Sequence, residues 1–185
     1  MKDRIQFLQV GLFNRRIGAL VRSSRFVVED VLEAIGKKEK FGCIVEYGPG
    51  DGVMTRELLK CLTSDGVLLA VEANPNFLQI LEKIKDHRLK LIESTIQEVS
   101  TNLSEFGLTH PQVVVASIPF SYLQPDERDE VVRRTAEALK PGGKFIIFHQ
   151  YSRLMLKPLQ KYFRSVEVKL ELRNFLPCFI FTATK

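Results

Sequence analysis

The chain has no tryptophan, only three histidines and only three cysteines. Cys43, Cys61 and Cys178 are far apart, odd in number and form no C-x-x-C pair. That excludes a disulfide framework and a cysteine-rich zinc site, and it fits a reducing, cytoplasmic compartment. His87, His110 and His149 share no ligand spacing, so no metal is expected. No apolar run approaches the ~20 residues that a membrane-spanning helix needs. The first residues, MKDRIQFLQVGLFNRR, interrupt their apolar positions with charge and do not form a secretory signal. Repeats and low-complexity tracts are absent, which excludes solenoids and flexible arrays.

What is present is a globular composition, 45% hydrophobic, with a formal net charge of +5 over 185 residues. That length fits one domain of about 100–200 residues, and 1–185 is read as one. The charge is uneven: residues 1–25 carry a net +5, residues 26–139 a net −7 and residues 140–185 a net +7. Basic ends around an acidic middle point to an anionic partner near the ends. Within residues 1–25, Ile5, Leu8 and Leu12, and Val10, Phe13, Ile17 and Leu20, recur at helical intervals between basic residues. A basic amphipathic segment of that kind is expected to lie on an anionic membrane surface.

Short apolar runs then alternate with helical patterns. Helices are expected over 26–35, 53–63, 75–85, 125–139 and 153–163. Strands are expected over 43–47, 67–71, 89–93, 112–117, 144–148, 166–172 and 178–184. Continuous apolar strands between helices predict an α/β fold, with a mostly parallel sheet covered on both faces.

The sharpest motif is Glu46-Tyr47-Gly48-Pro49-Gly50-Asp51-Gly52, between the first strand and its helix. Its glycines allow a tight turn and close approach of a ligand to the backbone. Glu72 stands at the end of the second strand, where an acid accepts both hydroxyls of a ribose. A dinucleotide fingerprint would need glycine at 53, and that residue is Val53.

The E-x-G-x-G-x-G pattern, Glu72 and the later Leu139-Lys140-Pro141-Gly142-Gly143 turn resemble class I S-adenosylmethionine-dependent methyltransferases. The resemblance implies a Rossmann-like, seven-stranded sheet with the last strand antiparallel. It also implies S-adenosylmethionine as cofactor and S-adenosylhomocysteine as product. Glu46, Gly48, Pro49, Gly50, Gly52, Glu72, Ala73, Thr95, Ile96, Ser117 and Ile118 match the cofactor positions. No acid stands at Thr95-Ile96 to meet the adenine, and Glu93 and Glu98 are its nearest substitutes.

Ser117-Ile118-Pro119-Phe120 occupies the place where such enzymes meet their acceptor, and it resembles the segment of rRNA adenine dimethyltransferases. Those enzymes carry a further helical domain, for which the chain is expected to have no room after its last strand. A resemblance over nearly the whole chain is to bacterial phospholipid N-methyltransferases. It rests on Ile17–Arg25 (IGALVRSSR), Val45–Arg56 (VEYGPGDGVMTR), Ser117–Phe120 and Arg173–Pro177 (RNFLP). The departures are Arg22 for proline, Tyr47 for leucine and Cys178 for alanine. The resemblance implies methylation of a phosphatidylethanolamine-like amine at the inner face of the cell membrane, by a peripherally bound enzyme. Pro119, Phe120, Arg22, Ser24, Arg25, Arg173 and Asn174 would then face the lipid. Tyr151 and His149, with Glu46 a third, are candidates for taking the acceptor's proton. Nucleic acid or a small amine as acceptor, and a cofactor-binding protein without transfer, are the alternatives.

Overall fold

The computed structural model describes residues 24–101, 110–174 and 176–185. The amphipathic segment expected over 1–25 lies outside them, save for Ser24 and Arg25, and so does Arg22.

The first described helix, α1 (Arg25–Ile35), starts at Ser24, whose Oγ accepts the Val27 amide at 3.4 Å. Gly36 ends it in the left-handed conformation (φ 96°), its N–H returning to the carbonyls of Leu32 and Glu33. The chain continues through β1 (Phe41–Tyr47), α2 (Val53–Lys60), β2 (Leu62–Glu72), α3 (Pro75–Leu81) and β3 (Leu89–Glu93). Then come α4 (Ile96–Thr101), β4 (Val113–Ala116), a short 3-10 turn (Phe120–Tyr122), α5 (Pro125–Ala138) and β5 (Lys144–Gln150). It closes with α6 (Leu156–Tyr162), β6 (Ser165–Glu171) and β7 (Cys178–Thr184). The α5 start is legible chemistry: Pro125 fills the first position, and Glu127 accepts the Gln124 amide at 2.7 Å.

The strands form one seven-stranded sheet in the order β3-β2-β1-β4-β5-β7-β6. β1 to β5 pair in parallel, and β7 runs antiparallel to both β5 and β6. This is the expected Rossmann-like arrangement. Alternate residues feed opposite faces, as the strand period requires. Val45, Leu69, Val114, Phe145 and Phe181 pack with α5 and α6, whereas Ile44, Leu68, Val113, Ile146 and Ile180 pack with α1 and α2.

The structure differs most from expectation in three places. The helix expected to reach residue 63 stops at Lys60, and β2 begins at Leu62 instead of Val67. The register jumps from Phe41↔Leu62 to Cys43↔Val67, so Thr63–Gly66 bulge from the ladder. At Gly66 a Cβ would meet the Phe41 carbonyl oxygen at 2.8 Å, so the bulge needs glycine there. Second, α3 ends at Leu81 rather than 85. Third, α4 was not expected at all.

At the N-terminal edge of the strands, lysines satisfy carbonyls at helix C-termini. Lys144 Nζ donates to Ala34 O (2.7 Å) and Ile35 O (3.4 Å), and Lys185 Nζ donates to the carbonyls of Glu137 and Leu139. Orphan carbonyls and the negative end of the helix dipole favour a cation there. Lys144→Met should therefore cost about 1 kcal/mol, lowering the thermal unfolding midpoint by about 2–4 °C at this length.

Candidate functional site

All parallel strands end on one edge, so the loops after β1, β2, β3, β4 and β5 share it. The loop after β1 is clamped from both sides. Gly48 N–H reaches the Val71 carbonyl at 2.9 Å, and Gly50 N–H reaches Glu72 Oε2 at 3.1 Å. From the other side, Ser117 N–H donates to Tyr47 O at 3.0 Å, and the Ser117 hydroxyl donates to the Gly48 carbonyl. Glu46, Gly48, Pro49, Gly50, Gly52, Glu72, Ser117 and Ile118 thus stand together at the ends of β1, β2 and β4.

Two glycines in the loop do different work. At Gly48 (φ 74°) a Cβ would meet Ile118 Cγ2 at 2.6 Å, because the β4 loop packs directly on it. At Gly50 (φ 56°) a Cβ would meet nothing within 4 Å. The space in front of Gly50 is where a ligand could approach the backbone.

The electrostatics are lopsided. Glu46 is 2% exposed, and its Oε2 has no hydrogen-bond partner among the described residues. Burial pushes its carboxyl up to about 8; the nearby Thr55 hydroxyl opposes this, and the charges of Glu72 and Asp51 add to it. Glu72 is also raised by burial, against the backbone amides of Asn74, Gly50 and Ala73, which favour its charged form. Its Oε1 accepts the Asn74 amide at 2.9 Å. A carboxylate offers about four acceptor sites, so Glu72 keeps capacity for a hydroxyl. Buried acids with spare acceptors suit a ligand that carries hydroxyls and positive charge.

Other expected residues stand differently. Thr95 caps α4: its Oγ1 accepts the Glu98 amide at 3.3 Å, and Glu98 Oε2 accepts the Thr95 amide at 3.2 Å. Glu98 therefore serves a capping box, and Ile96 is buried in the core. Ala73 and Pro119 are exposed. Phe120 is fully buried against the α5 side of the sheet. That corrects the expectation that its ring packs on a substrate: the 3-10 turn folds it inward as a core aromatic.

Tyr151 is 56% exposed just beyond β5, and burial of its inner side raises its phenol above the ordinary value. It stays protonated at neutral pH, so in the free protein it is a hydrogen-bond donor rather than a base. His149 lies on β5, with its side chain outside the described residues. Ser24 serves as the α1 cap. Arg173 is paired with Glu171 at 2.5 Å and approaches Asp30 at 3.5 Å, and Arg25 and Arg173 both stack near the Phe26 ring. Asn174 is buried and donates to Leu176 O at 2.9 Å. These contacts hold the start of α1 to the β6–β7 turn, and Arg173 is already neutralised by its own carboxylates. Sequence reasoning assigned no role to Thr55, although it stands within the Val45–Arg56 segment, and missed Asp30, which carries no motif. It also missed the Thr95-x-x-Glu98 capping box, which was readable.

Substitution separates the two glycines. Gly48→Ala adds overpacking of about 1–3 kcal/mol to a left-handed penalty of about 1–2 kcal/mol, whereas Gly50→Ala incurs the second term alone. Denaturant midpoints should fall further for Gly48→Ala. Glu46 predicts a pH effect. Its folded pKa is raised, so its favourable term is complete below about pH 4.5 and is lost as pH rises to about 8. Ligand-free wild type should lose thermal stability relative to Glu46→Gln between pH 5 and pH 8.5, at about 2–4 °C per kcal/mol. Parallel melting curves for the two proteins across that range would contradict the buried assignment.

The geometry agrees with comparisons to known proteins. The family model described as "Methyltransferase domain" matches residues 45–145, more than half of the chain. Ornithine lipid N-methyltransferase of Singulisphaera acidiphila is 23% identical over 182 residues, covering 96% of this chain and 93% of that protein. Ribosomal RNA small subunit methyltransferase A of Nostoc punctiforme is 28% identical over 143 residues, covering 73% of this chain and 49% of that protein. The chain thus spans about half the length of that relative. Among solved structures, N-methyltransferase NodS from Bradyrhizobium japonicum superposes with a TM-score of 0.73 at 13% identity, covering 87% of this chain and 95% of that one. With the glycine loop at the strand ends and the sheet order on the page, the chain belongs to the methyltransferase domain family, as a class I, S-adenosylmethionine-dependent member.

Proposed function

We propose that this chain transfers a methyl group from S-adenosylmethionine to the amine nitrogen of a membrane-lipid head group. The observation that carries this reading is shared length. The lipid N-methyltransferase of Singulisphaera acidiphila is matched over 93% of its own length, whereas the rRNA enzyme and the quinone-pathway C-methyltransferases are matched over about half of theirs. The motif resemblance of Ile17–Arg25, Val45–Arg56, Ser117–Phe120 and Arg173–Pro177 supports the same acceptor.

When bound, S-adenosylmethionine would supply an electrophilic methyl on its sulfonium: a nitrogen–carbon bond would form as the carbon–sulfur bond breaks, with S-adenosylhomocysteine as the leaving group. The chain's work is to bind, orient and exclude water. Glu72 would accept the ribose hydroxyls, and the Gly50 and Asn74 amides hold its carboxylate in place for that. Glu46 keeps one buried oxygen without a hydrogen-bond partner among the described residues, and a cationic ligand nearby would favour its ionised form. Ser117 ties the glycine loop to the acceptor loop, so the two halves of the crevice keep their spacing. Backbone carbonyls of Ser117–Pro119 accept the N–H bonds of the amine. The Tyr151 phenol stays protonated and is no base in the free protein; the acceptor ammonium would give up its proton before attack, with His149 and Glu46 the remaining candidates to take it.

A second reading, methylation of an rRNA adenine, is favoured by Ser117–Phe120 and the 28% identical rRNA relative. Labelled S-adenosylmethionine should be incubated with phosphatidylethanolamine vesicles, with ornithine-lipid vesicles and, separately, with rRNA. Label should appear on lipid amine. Transfer to RNA with none to lipid overturns the first reading. Glu72→Gln should reduce transfer by about 10–100-fold, from losing charge-assisted bonds of about 1.5–3 kcal/mol.

A further inference from the structure

Among the described residues, seven large apolar side chains are exposed. Five of them, Tyr122, Tyr151, Leu154, Leu172 and Leu176, lie in connections leaving the C-terminal ends of β4, β5 and β6. Leu172 is 66% exposed, the largest value of the set. Scattered exposed leucines need no explanation, but a concentration on one edge does.

The β5–α6 and β6–β7 connections are neighbours. Gln150 pairs with Phe179, and Cys178 pairs with Glu171, so both connections emerge beside the first residues of β7. The Arg153 guanidinium lies 5.7 Å from the Phe179 ring centroid, bridging them. Charge follows the same division. Residues 151–157 carry Arg153 and Lys157 and no acid, whereas residues 172–177 carry only Arg173, whose charge Glu171 and Asp30 already balance. Arg153 and Lys157 are exposed. On the outer side of α5, by contrast, Glu130, Arg133, Arg134 and Glu137 neutralise one another.

We propose that this rim is a lipid-docking face, with Tyr151, Leu154, Leu172 and Leu176 entering the interface of an anionic bilayer while Arg153 and Lys157 meet its phosphates. Apolar side chains interleaved with cations and free of acids are the chemistry of an interfacial anchor. The rim flanks the Ser117–Pro119 loop, so a head group reaches the acceptor position while its chains stay in the membrane. The inference rests on the lipid-amine reading for that consequence, and it assigns membrane contact to residues separate from the amphipathic segment over 1–25.

The test uses the full chain, the double variant Leu154→Ser/Leu172→Ser, and Arg153→Glu. Sedimentation is measured with phosphatidylethanolamine/phosphatidylglycerol vesicles and with neutral phosphatidylcholine vesicles. Methyl transfer is measured to vesicle phosphatidylethanolamine and to monomeric dihexanoyl phosphatidylethanolamine. The double variant should bind anionic vesicles at least about tenfold more weakly. S-adenosylhomocysteine affinity should stay within about twofold, and transfer to the monomeric lipid should be retained. Arg153→Glu should lose binding to anionic vesicles and not to neutral ones. Unchanged vesicle binding in both variants overturns the proposal. So does a lowered melting point with unchanged binding, which would place the rim under another part of this chain. A wild-type dimer that dissociates in the double variant would assign the face to a second copy and overturn it too. Vesicle binding that depends on these residues without any lipid methylation keeps the docking face and removes the acceptor reading. Methylation that ignores them does the reverse.

Discussion

The structure depends on the position of β1. It is paired with β2 on one side and β4 on the other, and helices cover both its faces, so its backbone groups are satisfied laterally or not at all. Beyond Tyr47 the ladder must stop, because the chain returns to β2 on one flank and to β4 on the other. The crevice opens at that divergence, where doubly wound sheets take their ligands. Gly48 and Ser117 extend the ladders by one residue each, and the bond from Gly50 to Glu72 carries the clamp to the tip of the loop. The site is therefore a continuation of sheet pairing, held by backbone geometry more than by side-chain packing.

That rigid frame carries an electrostatic imbalance. Glu46, Asp51 and Glu72 crowd around a loop with no basic side chain of its own. Neutralising Glu46 relieves the free protein, and a cationic ligand relieves the bound one. At the other end of the same edge, the opposite solution is used. Asp30, buried and raised by desolvation, lies beside Glu171, whose carboxyl is lowered to about 2 by Arg173. Lys169 completes the group at 2.8 Å from Asp30. There the charges are balanced, and the result is a lock between α1 and the β6–β7 turn.

Much of this was legible in the sequence. The apolar runs of β1, β4 and β5 are buried on both faces, so their strands are readable without an alternating pattern. The glycine loop was readable because its backbone needs positive φ at Gly48, Gly50 and Gly52. The start of β2 was not, because Thr63-Ser64-Asp65-Gly66 carries turn chemistry and is in fact a bulge within a strand. Phe120 looked like a substrate residue because it belongs to the Ser117–Phe120 resemblance, and a single 3-10 turn folds it into the core. Arg173 looked available for phosphate, although Glu171 two residues before it takes its guanidinium at 2.5 Å; the second carboxylate, Asp30, lies 143 residues away in the chain. Pairings of that range depend on the sheet order, and no local pattern announces them.

The place of β7 has a consequence for assembly. It is made after β6, yet it lies between β5 and β6. Until it exists, β6 has no partner in the sheet, and β5 presents an open edge. β6 therefore reaches the sheet only through β7, so the β6–β7 hairpin adds to the outer edge of β5 as a unit. Leu172 and Leu176 thus ride on a hairpin whose hold on the five parallel strands runs through the single pairing of β5 with β7.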